Sequence, residues 1–321
     1  MLTEKQNKEI MGHLERAQNP LFYFDNDPDG LCSFLLLQRW LGRGKGVVGK
    51  ADLNKSYFRK VEELNADYIF ILDKPLVDKE FFEEARKINI PVVWIDHHEI
   101  LKKDVPDFVH YFNPFFNLPS TNEPVTALCY DVAKKKDDLW LAVAGCISDA
   151  YVPPFYSEFE EKYPDLAIKK KKAFDILYGA EIGKIARIFG LALKDRTTNV
   201  VTMLKFLMKV KTPYEVLEET QQNRIMHERF NEIEKKIRHL VSEAKDNGKN
   251  LLFFKYGGEL SISSEVANEL WYKFPEKFII VAYVKGLKTN LWFWSILSMK
   301  SIILCSIIFR FTLSMINLLT R

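Results

Sequence analysis

Three short apolar segments, each followed at once by an acidic residue, constrain this chain more than any other feature. They cover residues 21–24, 68–72 and 91–95, and their composition is typical of β-strands. The acidic and imidazole residues that follow them are Asp25, Asp27, Asp29, Asp73, Asp96, His97 and His98. In an open parallel sheet, ligand sites form outside the carboxyl ends of the strands, so we expect these side chains around one cleft.

Carboxylates gathered in this way repel one another unless they are protonated or neutralised by cations. Oxygen and imidazole ligands together suit Mn²⁺ or Mg²⁺. The pattern therefore indicates a metal-dependent hydrolase.

Strand and helix patterns alternate through residue 100, which predicts an α/β fold with a doubly wound, mainly parallel sheet. Asp27 and Pro28 also fit the start of a helix whose body is 32–41, so Asp27 has a second interpretation as a helix cap. The small-residue segment 144–149 ends at Asp149. Close backbone packing there would bring Asp149 to the same cleft, although alone it reads as a helix-end residue.

The chain divides by its patterns into four parts. We predict a catalytic domain over 1–190, a helical linker over 191–246 and a second, smaller, truncated α/β domain over 247–290. Within the linker, 215–245 reads as one long polar helix. The last part, 291–321, is a hydrophobic tail interrupted by Lys300 and Arg310.

Three interpretations of the tail 291–321 stay open. A transmembrane helix is not favoured, because a central Lys or Arg costs about 2.5–3.5 kcal/mol. A peripheral membrane segment is the second interpretation. The third, which we favour, is that the tail is not native to the fold, for example the product of a shifted reading frame.

Charge and cysteine content give weaker indications than the motifs, and a local basic groove for nucleic acid stays open. With 46 basic and 43 acidic residues the net charge is +3, too weak to indicate nucleic acid by bulk electrostatics. The basic run 169–172 is most simply a solvated face. The four cysteines have no CxxC spacing, and the N-terminus has no apolar signal region, so we expect reduced thiols in a cytoplasmic protein.

The spacing Asp25, Asp27, Asp29, Gly30 also matches the opening of an EF-hand calcium loop. That loop needs Glu at its twelfth position, where this chain has Leu36, and it follows a helix rather than a strand. The calcium-loop hypothesis is therefore disfavoured.

Four segments together resemble the motifs of the DHH phosphoesterase superfamily, and within it the RecJ-like single-strand nucleases and oligonucleotide or cyclic-dinucleotide phosphodiesterases. They are 25–30, 71–73, 96–98 and 145–149. The resemblance implies two Mn²⁺ ions, with Mg²⁺ as the alternative, and these would generate the nucleophile from water and neutralise charge on the phosphate. The implied metal ligands are Asp25, Asp27, Asp29, Asp73, His97 and Asp149. The implied catalytic residues are Asp73, Asp96, His97 and His98.

Two departures from the family pattern stand out. Asp25 occupies the place of the family's first histidine, which exchanges an imidazole ligand for a carboxylate and favours Mg²⁺. The segment 251–288 resembles the beginning of the family's substrate-binding domain, but its later Ser, Arg and Gly-Gly-His motifs are missing. Tyr256, Trp271 and Tyr272 are candidates for base stacking, although core packing explains each of them more simply.

The leading hypothesis is a two-metal phosphodiesterase acting on single-stranded DNA or RNA or short oligonucleotides. The enzymatic alternative hydrolyses a cyclic dinucleotide or another small phosphoester. The non-enzymatic alternative is an inactive accessory protein that binds nucleic acid or a replication or repair partner.

Overall fold

The computed structural model describes residues 1–50, 52–100, 104–246, 248, 250–285 and 288–294. The chain divides into two compact units, of which the first ends at Phe230 and the second begins at Asn231.

The first unit contains five strands and the larger share of the helices. Its strands are β1 (Pro20–Asp25), β2 (Lys45–Gly49), β3 (Tyr68–Leu72), β4 (Val92–Ile95) and β5 (Val109–Phe112). The helices that surround the sheet are α1 (Glu4–Arg16), α2 (Pro28–Leu41), α3 (Lys55–Glu63), α4 (Lys79–Lys87), α5 (Val125–Ala133) and α6 (Leu139–Ser148). The helices that follow are α7 (Tyr156–Lys162), α8 (Ala173–Gly179), α9 (Glu181–Ala192), α10 (Thr197–Leu207) and α11 (Pro213–Leu217). Helix α12 (Arg224–Glu243) begins in the first unit and continues into the second.

The five strands form one parallel sheet in the order β2-β1-β3-β4-β5. This confirms the doubly wound parallel sheet predicted from the sequence. The chain moves from β1 to β2 on one side and then to β3 on the other, so the order reverses between β1 and β3. Crevices for ligands form at such a switch point, outside the carboxyl ends of the strands.

Both faces of the sheet are covered, which explains why the central strands β1, β3 and β4 have long apolar runs. On one face, Tyr23 and Ile71 pack with aromatic side chains of α3 and α4, including Phe81. On the other face, Phe34 of α2 stacks on Phe24 at 5.0 Å between ring centroids. Successive residues of β1 therefore pack on opposite faces of the sheet.

Local signals define where the first helices begin. The Thr3 side chain accepts a hydrogen bond from the Gln6 N–H, and the Gln6 side chain bonds back to the Thr3 N–H. Asp27 caps α2 by accepting from the Gly30 N–H at 2.9 Å, with Pro28 at the first helical position. The start of α2 at Asp27 and Pro28 was predicted from the sequence.

The single helix predicted over 215–245 is wrong, because α11 and α12 are separate helices. The Asn223 side chain donates to the carbonyl oxygens of Glu215 and Glu218 and accepts from the Thr220 N–H. These bonds hold a turn between the two helices, and a window of helix-forming residues does not reveal them. The first unit includes residues 191–230 of the segment predicted to be a linker.

The second unit contains β6 (Leu251–Gly257), α13 (Ser263–Lys273), β7 (Phe278–Lys285) and β8 (Lys288–Trp294). Strands β6 and β7 are parallel, and β8 pairs antiparallel with β7. Tyr256 is buried, and its ring packs on Tyr283 at 5.2 Å, as core packing predicted. Tyr272 is 40% exposed.

Strand β8 includes residues 291–294, the start of the predicted hydrophobic tail. The remainder of that prediction, 295–321, lies outside the described residues. In the described part of the chain, none of the helices combines the length and the hydrophobicity that a bilayer crossing requires.

Candidate metal centre

The carboxyl edge of the sheet carries the acidic residues that follow β1, β3 and β4. Asp25 is the last residue of β1. The Asp73 N–H donates to the Ile95 carbonyl and the Asp96 N–H donates to the Phe112 carbonyl, both at 3.0 Å. These bonds continue the parallel hydrogen-bond ladder by one residue and fix both backbones at the edge.

Asp73 has an unusual backbone for a residue with a side chain. Its φ is 58°, in the left-handed region that non-glycine residues rarely occupy. The side chain is buried, and its Oδ1 atom has no hydrogen-bond partner. A strained conformation that presents a buried carboxylate is typical of a functional site.

His97 faces two of the carboxylates. Its Nδ1 donates to the Asn122 carbonyl at 3.2 Å, so Nε2 is the nitrogen that offers a lone pair when the ring is neutral. Nε2 lies 3.4 Å from Asp73 Oδ1 and 3.9 Å from Asp149 Oδ2. A backbone carbonyl that orients a histidine in this way is the usual second partner of a metal-ligating imidazole.

His98 is held by Asp96, which is fully buried. His98 Nδ1 donates to Asp96 Oδ1 at 2.7 Å and lies 3.8 Å from Asp73 Oδ1. The Tyr111 hydroxyl donates to Asp96 Oδ2 at 3.2 Å, and the Asn113 side-chain amide donates to that hydroxyl at 2.7 Å. These hydrogen bonds fix the orientation of the His98 ring.

Asp149 reaches the cluster from the end of α6. Gly145 makes this approach possible, because a Cβ atom built on it would clash with the Thr126 side chain of α5 and lie 2.8 Å from the Cys32 Cβ of α2. The small-residue segment identified in the sequence thus allows three helices to pack closely. Asp149 Oδ2 is buried and has no hydrogen-bond partner.

Two of the predicted carboxylates also cap helices. Both oxygens of Asp29 accept backbone N–H groups at the start of α5, from Val125 at 3.0 Å and from Thr126 at 2.7 Å. Asp27 caps α2. Each carboxylate oxygen has further lone pairs, so these bonds are compatible with a cation but do not require one.

Burial and like charges shift the pKa values of the cluster when no cation is present. Burial, followed by Asp25 and Asp29, raises the pKa of Asp27 to about 8. Burial likewise raises the pKa of Asp149 to about 6 against the opposing effect of His97, and it raises the pKa of Asp73 well above its usual range.

Both histidine pKa values are also raised. Burial by itself lowers the pKa of each imidazole, but the carboxylates outweigh it, chiefly Asp149 for His97 and Asp96 for His98. The pKa of each is about 9. Without a cation, protons bound to these side chains therefore reduce the repulsion among the carboxylates.

The side chains fit a divalent cation. The ligand atoms of Asp73, His97 and His98 lie within 4.8 Å of one another, and so do those of Asp29, His97 and Asp149. Buried carboxylate oxygens without hydrogen bonds are costly, and a cation would satisfy them. Asp25, Asp27 and Asp96 belong to neither group, although Asp25 and Asp27 lie close enough to affect the pKa of Asp73.

The sequence analysis missed Lys74. This lysine follows Asp73 directly, is buried, and places Nζ 2.6 Å from Asp25 Oδ1. A charged residue next to a strand-end carboxylate was the available signal. Asn122, Tyr111 and Asn113 were also missed, because their contacts depend on the folded chain.

Residues 21–148 match the N-terminal domain of the DHH family. Among solved structures, the DHH domain of a member of a ribosomal-protein family is similar, with a TM-score of 0.63 and 13% identity over 92% of this chain and 78% of that one. Among curated proteins, no sequence matches significantly.

Two RecJ structures are also similar. RecJ from Thermus thermophilus in complex with Mn²⁺ has a TM-score of 0.59 and 15% identity over 91% of this chain and 47% of that one. An exonuclease RecJ bound to manganese has a TM-score of 0.55 and 16% identity over 92% of this chain and 83% of that one. This chain spans about half the length of the Thermus protein, and the likeness at these identities establishes the fold alone.

Proposed function

Because residues 21–148 match the N-terminal domain of the DHH family, we propose that this chain is a divalent-cation-dependent phosphodiesterase. The observation that carries the proposal is the Asp73 carboxylate. Its Oδ1 is buried without a hydrogen bond and lies 3.4 Å from Nε2 of His97, the nitrogen that can offer a lone pair. A carboxylate oxygen and an imidazole nitrogen so arranged are suited to Mn²⁺ or Mg²⁺.

Two cations are proposed, as the family resemblance implies. The ligands would be Asp25, Asp27, Asp29, Asp73, His97 and Asp149. Such cations activate a water molecule and neutralise charge on the phosphate, so a serine or cysteine nucleophile is unnecessary.

The protein's own groups would orient the reaction. Asn122 holds His97 so that Nε2 faces Asp73 and Asp149. Asp96 accepts a hydrogen bond from Nδ1 of His98, so in the protonated imidazole the Nε2–H group would be free to donate to a phosphate oxygen. The buried position of Asp96 keeps this hydrogen bond away from competing water.

The proposed substrate is single-stranded DNA or RNA or a short oligonucleotide. One structural neighbour is named an exonuclease, and it and the Thermus protein contain manganese, which supports both the substrate and the metal. A cyclic dinucleotide or other small phosphoester is the enzymatic alternative, and a preference for chain length distinguishes it. The described cysteines are buried and unpaired, which supports our proposal of a cytoplasmic protein.

A non-catalytic accessory protein for replication or repair is favoured by one observation. Lys74 already neutralises Asp25, the residue at the place of the family's histidine. This alternative predicts cation binding without turnover.

The test is Mn²⁺-dependent release of mononucleotides from a labelled single-stranded oligonucleotide. We expect turnover by the parent, none by Asp73→Ala, and unchanged turnover by Asp107→Ala, which removes an exposed carboxylate. A parent that binds Mn²⁺ but releases no product from oligonucleotides or cyclic dinucleotides would contradict the enzymatic proposal and favour the accessory one.

A further inference from the structure

Lys74 places a buried positive charge beside the carboxylate cluster. Its side chain is 5% exposed, and Nζ donates to Asp25 Oδ1 at 2.6 Å and to the Gly49 carbonyl at 3.2 Å. The side chain thus starts at the end of β3 and reaches the ends of β1 and β2. A buried lysine requires such partners, because an unpaired buried charge is very costly.

The surroundings fix Lys74 in this position. Its backbone carbonyl accepts a hydrogen bond from Trp94 Nε1 at 3.0 Å. A Cβ atom on Gly49 would lie 3.4 Å from Cδ, Cε and Nζ of Lys74, so the lysine side chain packs against the end of β2. The hydrogen bond from Trp94 and the packing against Gly49 therefore hold Lys74 beside Asp25.

Asp25 and Lys74 carry complementary charges. A neutral histidine at position 25 would give the ammonium group no opposite charge, whereas aspartate does. A dication bound to Asp25 would lie within a few ångströms of that ammonium group and would be repelled by it. The Nε2 atom of His97, in contrast, faces two carboxylates, with Asp73 Oδ1 at 3.4 Å and Asp149 Oδ2 at 3.9 Å.

We propose that Lys74 is a built-in counter-cation that makes the two cation positions unequal. The position formed by Asp73, His97 and Asp149 fills first. The position that uses Asp25 fills only at higher concentration, when the Lys74 ammonium group leaves the carboxylate. This inference rests on the two cations of the proposed function and adds the order in which they bind.

The test is titration of the full chain with Mn²⁺ in the absence of substrate, followed by calorimetry and by electron paramagnetic resonance. We expect two binding steps in the parent, with the second weaker by at least about tenfold because of the repulsion by Lys74. In Lys74→Met the second step should tighten by about tenfold or more while the first changes little. Lys50→Met, which removes an exposed lysine next to Gly49, should behave as the parent.

A double variant covers the case in which Lys74→Met does not fold. Asp25→His with Lys74→Met replaces the ion pair by two uncharged side chains, and circular dichroism reports its folding. We expect its two Mn²⁺ steps to lie closer together than those of the parent.

Two results overturn different claims. Mn²⁺ binding with equal steps in the parent, or with a second step that neither variant tightens, would overturn the role of Lys74 and leave the metal centre intact. Failure of the parent to bind Mn²⁺ would overturn the proposed function as well.

Discussion

The Asp96 carboxylate is fully buried and accepts a hydrogen bond from His98 Nδ1 at 2.7 Å. Through this bond the carboxylate of Asp96 holds the imidazole of the neighbouring His98 in place. A Tyr111 hydroxyl on the second carboxylate oxygen completes the arrangement.

Asp96→Asn should therefore lower kcat for phosphodiester hydrolysis by about 10- to 100-fold, the usual effect of losing a buried partner of a site histidine. Asparagine keeps the size of the side chain but not the charge that holds the imidazole. Mn²⁺ affinity, measured by calorimetry, should change much less than kcat. Asp107→Asn, an exposed match, serves as the control, and wild-type kcat in Asp96→Asn would contradict the role assigned to Asp96.

Asp29→Ala should destabilise the fold even without metal, because it leaves the first N–H groups of α5 buried and unpaired. We expect the free energy of unfolding to fall by about 2–4 kcal/mol. Urea unfolding in EDTA measures it. Asp29→Asn, which retains one acceptor oxygen, should lose about half as much. Unchanged stability of Asp29→Ala in EDTA would mean that Asp29 acts through metal alone.

The metal-free protein should lose stability as the pH rises from about 6.5 to about 9. The folded pKa values of Asp27, His97 and His98 are about 8, 9 and 9, all above their ordinary values. The folded cluster therefore binds more protons than the unfolded chain, and this advantage disappears as the pH passes through the folded pKa values. Thermal unfolding in EDTA across this range is the measurement.

Two further measurements test whether the loss of stability with pH comes from this cluster. Asp27→Asn keeps a good helix cap but removes one charge, so its dependence on pH should be shallower. Saturating Mn²⁺ should abolish the loss. The range starts at pH 6.5 because burial, His110 and Arg16 lower the folded pKa of His13 from 6.5 to about 4. This histidine therefore reduces stability as the pH falls from about 6.5 to about 4. A parent equally stable at both ends of the range would contradict the prediction.

Gly145→Ala should destabilise the protein by about 1–3 kcal/mol in urea unfolding, because the new methyl group would overlap Thr126 and Cys32. It should also weaken Mn²⁺ binding, since a shift of α6 moves Asp149. Gly12→Ala in α1 is the matched control: the nearest atom to its Cβ is Arg16 Nη1 at 3.5 Å, and helix propensity predicts a gain of up to about 1 kcal/mol. Equal stability of the two variants would rule out the proposed close packing at Gly145.

Some features could be read from local patterns because their causes are local. These features are the strands, the Thr3 and Asp27 helix caps and the alternation of strand and helix. They depend on neighbouring residues and on burial, which the apolar residues of the sequence indicate. The turn at Asn223 could not be read, because the side chain competes with the helix through contacts that propensity does not contain.

The sequence by itself determined which residue types stand at the ends of the strands. The reason is that each apolar run and the charged residue that ends it are adjacent in the chain. Parallel strands then necessarily place those residues at one edge. Only the tertiary structure decided which partner each charged group has. Asp29 accepts backbone N–H groups of α5, Asp96 accepts from His98, and Lys74 donates to Asp25. Such pairings depend on distances of about 3 Å between groups whose positions the chain order does not fix, and only packing sets those distances.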